Sequence, residues 1–181
     1  MAEQFLNVYK TVVESDEFKK FIEKHPSYYL AHGFLQFDKN KKVTKDWQLG
    51  FYSKENDNLA LFITKPKIKF TGFEDAFKEE GIIEKLEFDD KSVDVEHVEE
   101  IIGGLLATKY SEENPTSYIL IIQSKDGKAL YNITTITESF AMITIQVDAN
   151  SGKIISHVKR SILSLKKDDD ENDKNDNGEE E

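Results

Sequence analysis

The chain has 181 residues, 38% of them hydrophobic and 11% aromatic, which is enough apolar material for a sizeable core. It contains no cysteine, and this excludes disulfides, thiol nucleophiles and Cys-ligated metal sites. Of the net charge of −11, −8 lies from Asp168 onward (nine acids, one Lys), so the body carries only −3 and offers no basic excess for nucleic acid or an anionic membrane.

The N-terminal MAEQFLNVYK lacks the basic start and apolar run of a secretory signal, and no stretch approaches the roughly 20 apolar residues that span a bilayer. The expectation is a cytoplasmic protein. Phe5, Leu6, Val8, Tyr9, Val12 and Val13 recur at helical spacing over residues 2–14. Ser15, followed by Asp16 and Glu17, reads as the N-cap of a second helix that ends before Pro26. Strands follow over Ser27–Asp38 and Val43–Tyr52, joined by the turn at residues 38–41. Leu59, Leu61 and Ile63 face inward from a third strand, which Pro66 interrupts or places at an edge, and Ile68–Thr71 continues as a fourth.

Phe73–Glu80 reads as a short connecting helix stopped by Gly81, and Ile82–Phe88, ambiguous by period, is read as a strand. Ser92 or Asp94 caps the next helix, whose stripe is Val95, Val98, Ile101, Ile102, Leu105 and Leu106. Gly103-Gly104 inside that helix costs about 1 kcal/mol per Gly relative to Ala and points to close packing on a sheet. Ser117–Gln123 is apolar on both faces, as a central strand is, and Asp126-Gly127 turns it into Ala129–Thr137. Ala141, Ile143, Ile145 and Val147 alternate with Met142, Thr144, Gln146 and Asp148, and a turn at residues 148–152 leads to a last strand carrying Ile154, Ile155 and Val158.

At an offset of 84, Trp47 falls on Tyr131, Leu49 on Ile133, and Leu59, Leu61 and Ile63 on Ile143, Ile145 and Val147. The expected fold is therefore α+β, a tandem duplication of a helix packed on an antiparallel sheet. Residues 1–72 form the first unit, 73–92 a connector, 93–165 the second unit, and 166–181 a disordered acidic tail without apolar residues. Whether the two units share one sheet is left open.

A helix, a hairpin with Tyr131-x-Ile133, and the closing Ile143-x-Ile145-x-Val147-Asp148-Ala149-x-Ser151-Gly152 together resemble the PepSY domain over residues 93–159. Trp47-x-Leu49-x-Phe51 fits in the first half, but Thr64-Lys65-Pro66-Lys67 replaces the Asp-Ala-x-x-Gly turn there. The resemblance implies α-β-β-β units of cystatin-like build and a role in inhibiting or regulating peptidases.

The four histidines, His25, His32, His97 and His157, form no HExxH or paired spacing, so no metal site is expected and they read as capping or solvent-facing. Glu96, Glu99 and Glu100 lie opposite the apolar stripe and read as a solvated face. No GxSxG, SxxK or Gly-rich phosphate loop occurs, so no catalytic residue and no cofactor are expected. The calcium-loop match Asp173-x-Asn175-x-Asn177-Gly178 lacks its closing Glu, Asp148-x-Asn150-x-Gly152 serves as a turn, and the sequon at Asn132 lies mid-strand. The first unit's aromatics are too many for one helix to cover, which makes Trp47, Phe51, Tyr52 and Tyr29 candidates for an exposed interaction patch. The expected function is a non-enzymatic protein-binding or regulatory module. The alternative is a small-molecule or lipid site between helix and sheet.

Overall fold

The computed structural model describes residues 4–76, 82–88 and 92–162. Helix α1 (Phe5–Glu14) buries Phe5, Val8 and Val12 along one side. Ser15 separates it from α2 (Asp16–Lys24) and caps the latter, its Oγ accepting from Phe18 N–H at 3.2 Å. Asp16 and Glu17 occupy the first turn of α2 and Lys24 the last, so each charge sits at the end the helix dipole favours. Strands β1 (Tyr29–Asp38), β2 (Val43–Ser53), β3 (Asn58–Ile63) and β4 (Lys69–Asp75) follow as a meander. Next come α3 (Val95–Lys109), capped by Asp94 through His97 N–H, and β5 (Pro115–Lys125), β6 (Lys128–Thr137), β7 (Ala141–Asp148) and β8 (Ile154–Ser161). Asp126 and Gly127 take φ of 52° and 70°, as a primed two-residue hairpin turn requires.

The described strands form one antiparallel sheet in the order β4-β3-β2-β1-β5-β6-β7-β8. This corrects the expected tandem of helix-on-sheet units. β1 pairs with β5 from His32 opposite Gln123 to Asp38 opposite Ser117, so a single eight-stranded sheet runs through both halves. The reason lies in the two strands themselves. Phe34, Leu35 and Phe37 on β1, and Ile119 to Ile122 on β5, put apolar side chains on both faces, which suits an interior position and not an edge.

All three described helices lie on one face. Gly33, Ile122, Tyr131 and Val147 are direct cross-strand partners and therefore share a face. The Phe5 ring covers Gly33 so closely that a Cβ there would collide with it. On the same face Tyr131 Oη donates to the Val93 carbonyl just before α3, at 2.7 Å. The core beneath the helices is aromatic in the first half, where Phe18 meets Phe51 and Phe62, and aliphatic in the second, where Val98, Ile102 and Leu105 share a cluster with Ile133, Ile143 and Ile145.

Local expectations are corrected too. Phe73–Asp75, read as connector and helix, is the end of β4, where Phe73 joins a ring cluster with Phe70, His25 and Tyr28. Ile82–Phe88 is not a strand but an extended strap. It is held by Leu86 N–H to the Leu30 carbonyl at 2.8 Å and by Glu84, whose carboxylate accepts from the N–H groups of Asp126 and Gly127. Gly103 and Gly104 do not approach the sheet: both are exposed, and a Cβ on either would meet nothing within 4 Å. The remainder of the expected connecting helix (77–80), the acidic tail (166–181) and the calcium-like run from Asp173 lie outside the described residues.

Candidate functional site

The register that gathers the core on one face places a second set of side chains on the other. Ile63, Gln48, Phe34, Ile121, Asn132, Gln146 and Ser156 form one row across that face. Gln36, Ile119, Thr134, Thr144 and Val158 form the next. No described helix packs there, and Phe34, Ile63, Ile119 and Ile121 are half-buried. The face divides into two sectors. Over β6 and β7 it presents Asn132, Thr134, Thr144 and Gln146, a mainly polar set that ends in Ile136 and Met142. Over β3, β1 and β5 it presents Leu61, Ile63, Phe34, Ile119 and Ile121, interleaved with Gln48 and Gln36. An uncovered apolar sector with amide groups among it is contact-surface chemistry.

The upper end of this face is closed by aromatic and strap contacts. Tyr52 is buried beneath Tyr29 at 5.8 Å between ring centroids, and its hydroxyl donates to Asp57 at 2.6 Å. The Tyr29 hydroxyl donates to the Ile83 carbonyl of the strap at 2.7 Å. His32 lies over Gly50, so closely that a Cβ at Gly50 would strike its ring. Desolvation there lowers its pKa to about 4, which keeps the imidazole neutral at pH 7.

The four aromatics expected to form an exposed patch do not do so. Trp47 and Phe51 point to the helix face, against Phe5 at 4.9 Å and Phe18 at 4.7 Å, and both are buried. Tyr52 and Tyr29 are on the helix-free face, where only Tyr29 keeps some exposure. The two helices of the first half cover Trp47 and Phe51, while the strap and Asp57 engage Tyr29 and Tyr52 on the other face. The open-face residues Phe34, Ile119 and Ile121 were not singled out, although the two-sided apolarity of residues 117–123 was their visible signal.

The histidines are dispersed. His25 stacks on Phe21, His97 sits 3.5 Å from Glu100, and His157 shares a 2.7 Å hydrogen bond with the Tyr110 hydroxyl. Among the described residues no three His, Asp or Glu side chains gather as a metal would need. Glu99 departs from its expected solvated position: nearly buried, it pairs with Lys41 at 3.3 Å. That pair borders a groove of about 280 Å³ between α3 and the sheet, floored by the stacked rings of Phe37 and Tyr118 and flanked by Gly103 and Gly104.

One serine has a charged neighbourhood. Ser139 Oγ donates to Glu113 at 2.6 Å, and the same carboxylate pairs with Lys159. The Lys159 bond first, then Ser139 and Thr137, holds Glu113 at about 2, so it is a poor proton acceptor at neutral pH and does not activate the serine. It ties β8 to the chain after α3. Asp148 is likewise held below the usual carboxylate range, chiefly by the Ser151 N–H, because its carboxylate closes the β7–β8 turn.

No family model matches the chain, and no curated protein matches it. Among solved structures it is similar to a protein of Clostridium difficile 630 described as a "putative lipoprotein", with 14% identity and a TM-score of 0.48 over 80% of this chain and 91% of that one. None of the described helices is long and apolar enough to cross a membrane.

Proposed function

We propose that the protein is a non-enzymatic interaction module that presents the helix-free face of its sheet to a protein partner. The observation that carries this reading is the apolar sector of Ile63, Phe34, Ile121 and Ile119 at the middle of that face, beside a polar sector over β6 and β7. A sheet face evolved only for water carries polar residues throughout. Here the central rows turn from polar on β6 and β7 to apolar at β5. The PepSY resemblance of residues 93–159 makes a peptidase the first partner class to test, and a cytoplasmic setting belongs to the same proposal.

The experiment is capture from source-cell lysate with the full chain beside a Phe34→Ser/Ile121→Ser variant of verified fold. A protein retained by the first and lost by the second supports the reading. A capture profile identical for both overturns it.

A second reading, a small-ligand site, rests on the groove floored by Phe37 and Tyr118. At about 280 Å³ it lies just below the size of ligand sites, roughly 300–1,000 Å³. Protection of Tyr118 fluorescence or NMR signals in a fragment screen would favour it.

A further inference from the structure

The sheet has two edges, and they differ. β4 carries a bulge between the partners of Leu61 and Phe62, takes φ of 136° at Gly72 and ends in Glu74-Asp75. Bulges and edge charges are the devices that prevent strands from adding to an edge. β8 bulges only at its start, and from Ser156 to Ser161 it follows β7 residue for residue. Ile154–Ser161 contains no Pro, Gly or acid, its two charges are Lys159, drawn aside by Glu113, and Arg160, and every position is exposed. Of the six large hydrophobics exposed among the described residues, Ile154, Ile155 and Val158 lie on β8, and Phe140 lies in the turn bonded to its end.

The hydrogen-bond phase shows which backbone groups face outward. Ile162 N–H donates to the Phe140 carbonyl, and Ala149 N–H donates to Ala129 on the β6 side. Even-numbered residues of β7 therefore bond β8 and odd-numbered ones bond β6, because the two sides alternate in an antiparallel ladder. On β8, Ser156, Val158 and Arg160 bond β7, which leaves the N–H and C=O of His157 and Lys159 aimed at the edge that no described strand covers. The side chains of those two residues are already fixed from the helix face, His157 by Tyr110 and Lys159 by Glu113. The edge is thus ordered before anything binds it, which lowers the cost of adding a strand.

We infer that β8 pairs antiparallel with β8 of a second copy about a two-fold axis at Val158, joining the two sheets into one. Charge excludes two of the neighbouring symmetric registers, and the self-match of an exposed apolar side chain, Val158, selects this one among the rest. An axis at Lys159 or Arg160 sets like charges opposite each other, a destabilising arrangement. The Val158 axis sets His157 against Lys159 of the other copy, Arg160 against Ser156, and Val158 against itself, with its 44% exposure covered. The paired strands are short against the ~1,600 Å² of a standard interface, so the dimer dissociates on dilution through the micromolar range. This association goes beyond the open-face reading and does not depend on it; in the dimer the two open faces form one surface.

Sedimentation equilibrium of the full chain tests the inference beside Val158→Lys, an exposed substitution whose fold is checked by circular dichroism and melting. The wild type is expected to dimerise, and Val158→Lys to weaken dimerisation about tenfold or more. Because the chain has no cysteine, Val158→Cys provides a second readout: residues facing across the axis oxidise readily to a disulfide, and an exposed control, Thr44→Cys, does not. A wild type that stays monomeric at several hundred micromolar, or a dimer that Val158→Lys leaves unchanged, overturns the inference. So does a Val158→Cys variant that crosslinks no faster than Thr44→Cys. Each of these outcomes leaves the Phe34/Ile121 capture result standing on its own.

Discussion

Ile121 and Ile122 are neighbours on β5, identical in chemistry and opposite in circumstance. Ile122 is fully buried under the helices in the row with Gly33 and Tyr131, while Ile121 is half-buried on the uncovered face opposite Phe34 and Asn132. The helix face is apolar from β3 to β7 and closed by α1, α2 and α3. The other face is most apolar over β3, β1 and β5, with Ile136, Met142 and Val158 as scattered apolar residues beyond. The difference teaches that burial in this sheet is set by which face the helices take, and that the apolar residues left outside that core are free to serve a second purpose.

The largest expected effect separates these neighbours. Ile122→Ala is expected to cost about 2–5 kcal/mol, the transfer loss plus an unfilled cavity. Ile121→Ala is expected to cost about 1 kcal/mol, since part of its surface is already wet. Urea unfolding of both variants checks the pair, and equal losses would show that the open face is as much core as the helix face.

The next effect is a pH dependence from the open face. His32 has an ordinary pKa of 6.5 and a folded one of about 4. The unfolded chain therefore binds the proton first, and the stabilisation present above pH 6.5 is lost as pH falls toward 4. The loss is on the order of 3 kcal/mol, and His32→Gln removes that part of the pH profile. Glu113 acts at lower pH: held at about 2 against an ordinary 4.5, it contributes stability that persists above 4.5 and disappears below it. Unfolding curves of Glu113→Gln between pH 5 and 2 are expected to flatten accordingly.

The smallest effect has the opposite sign. Gly103 and Gly104 face open space in helical conformation, so Gly103→Ala and Gly104→Ala are each expected to stabilise by about 1 kcal/mol. If either destabilises, a group outside the described residues passes close over α3.

Strand alternation was legible because β7 buries every second residue, and the caps at Ser15 and Asp94 and the Asp126-Gly127 turn were legible because their chemistry is local. The joining of β1 to β5 was not. Alternation specifies which residues share a face but not which strand lies alongside, and that choice came from two-sided apolarity read across 85 residues of separation. The extent of the aromatic core was missed for a related reason. Trp47 and Phe51 follow the same period as Leu49, and what decides their burial is that α1 and α2 together bring Phe5 and Phe18 over them. The Gly103-Gly104 pair misled, since a helical glycine signals close approach only when something approaches.

The most direct test of the division between the two faces is site-specific photo-crosslinking in source cells. A benzoylphenylalanine is placed at Phe34 or Ile121 on the open face, or at Lys19 on the exposed side of α2. The account predicts a shared protein adduct from positions 34 and 121 and none from position 19. Adducts from position 19 with none from the sheet would contradict it, and would move the binding surface to the helices.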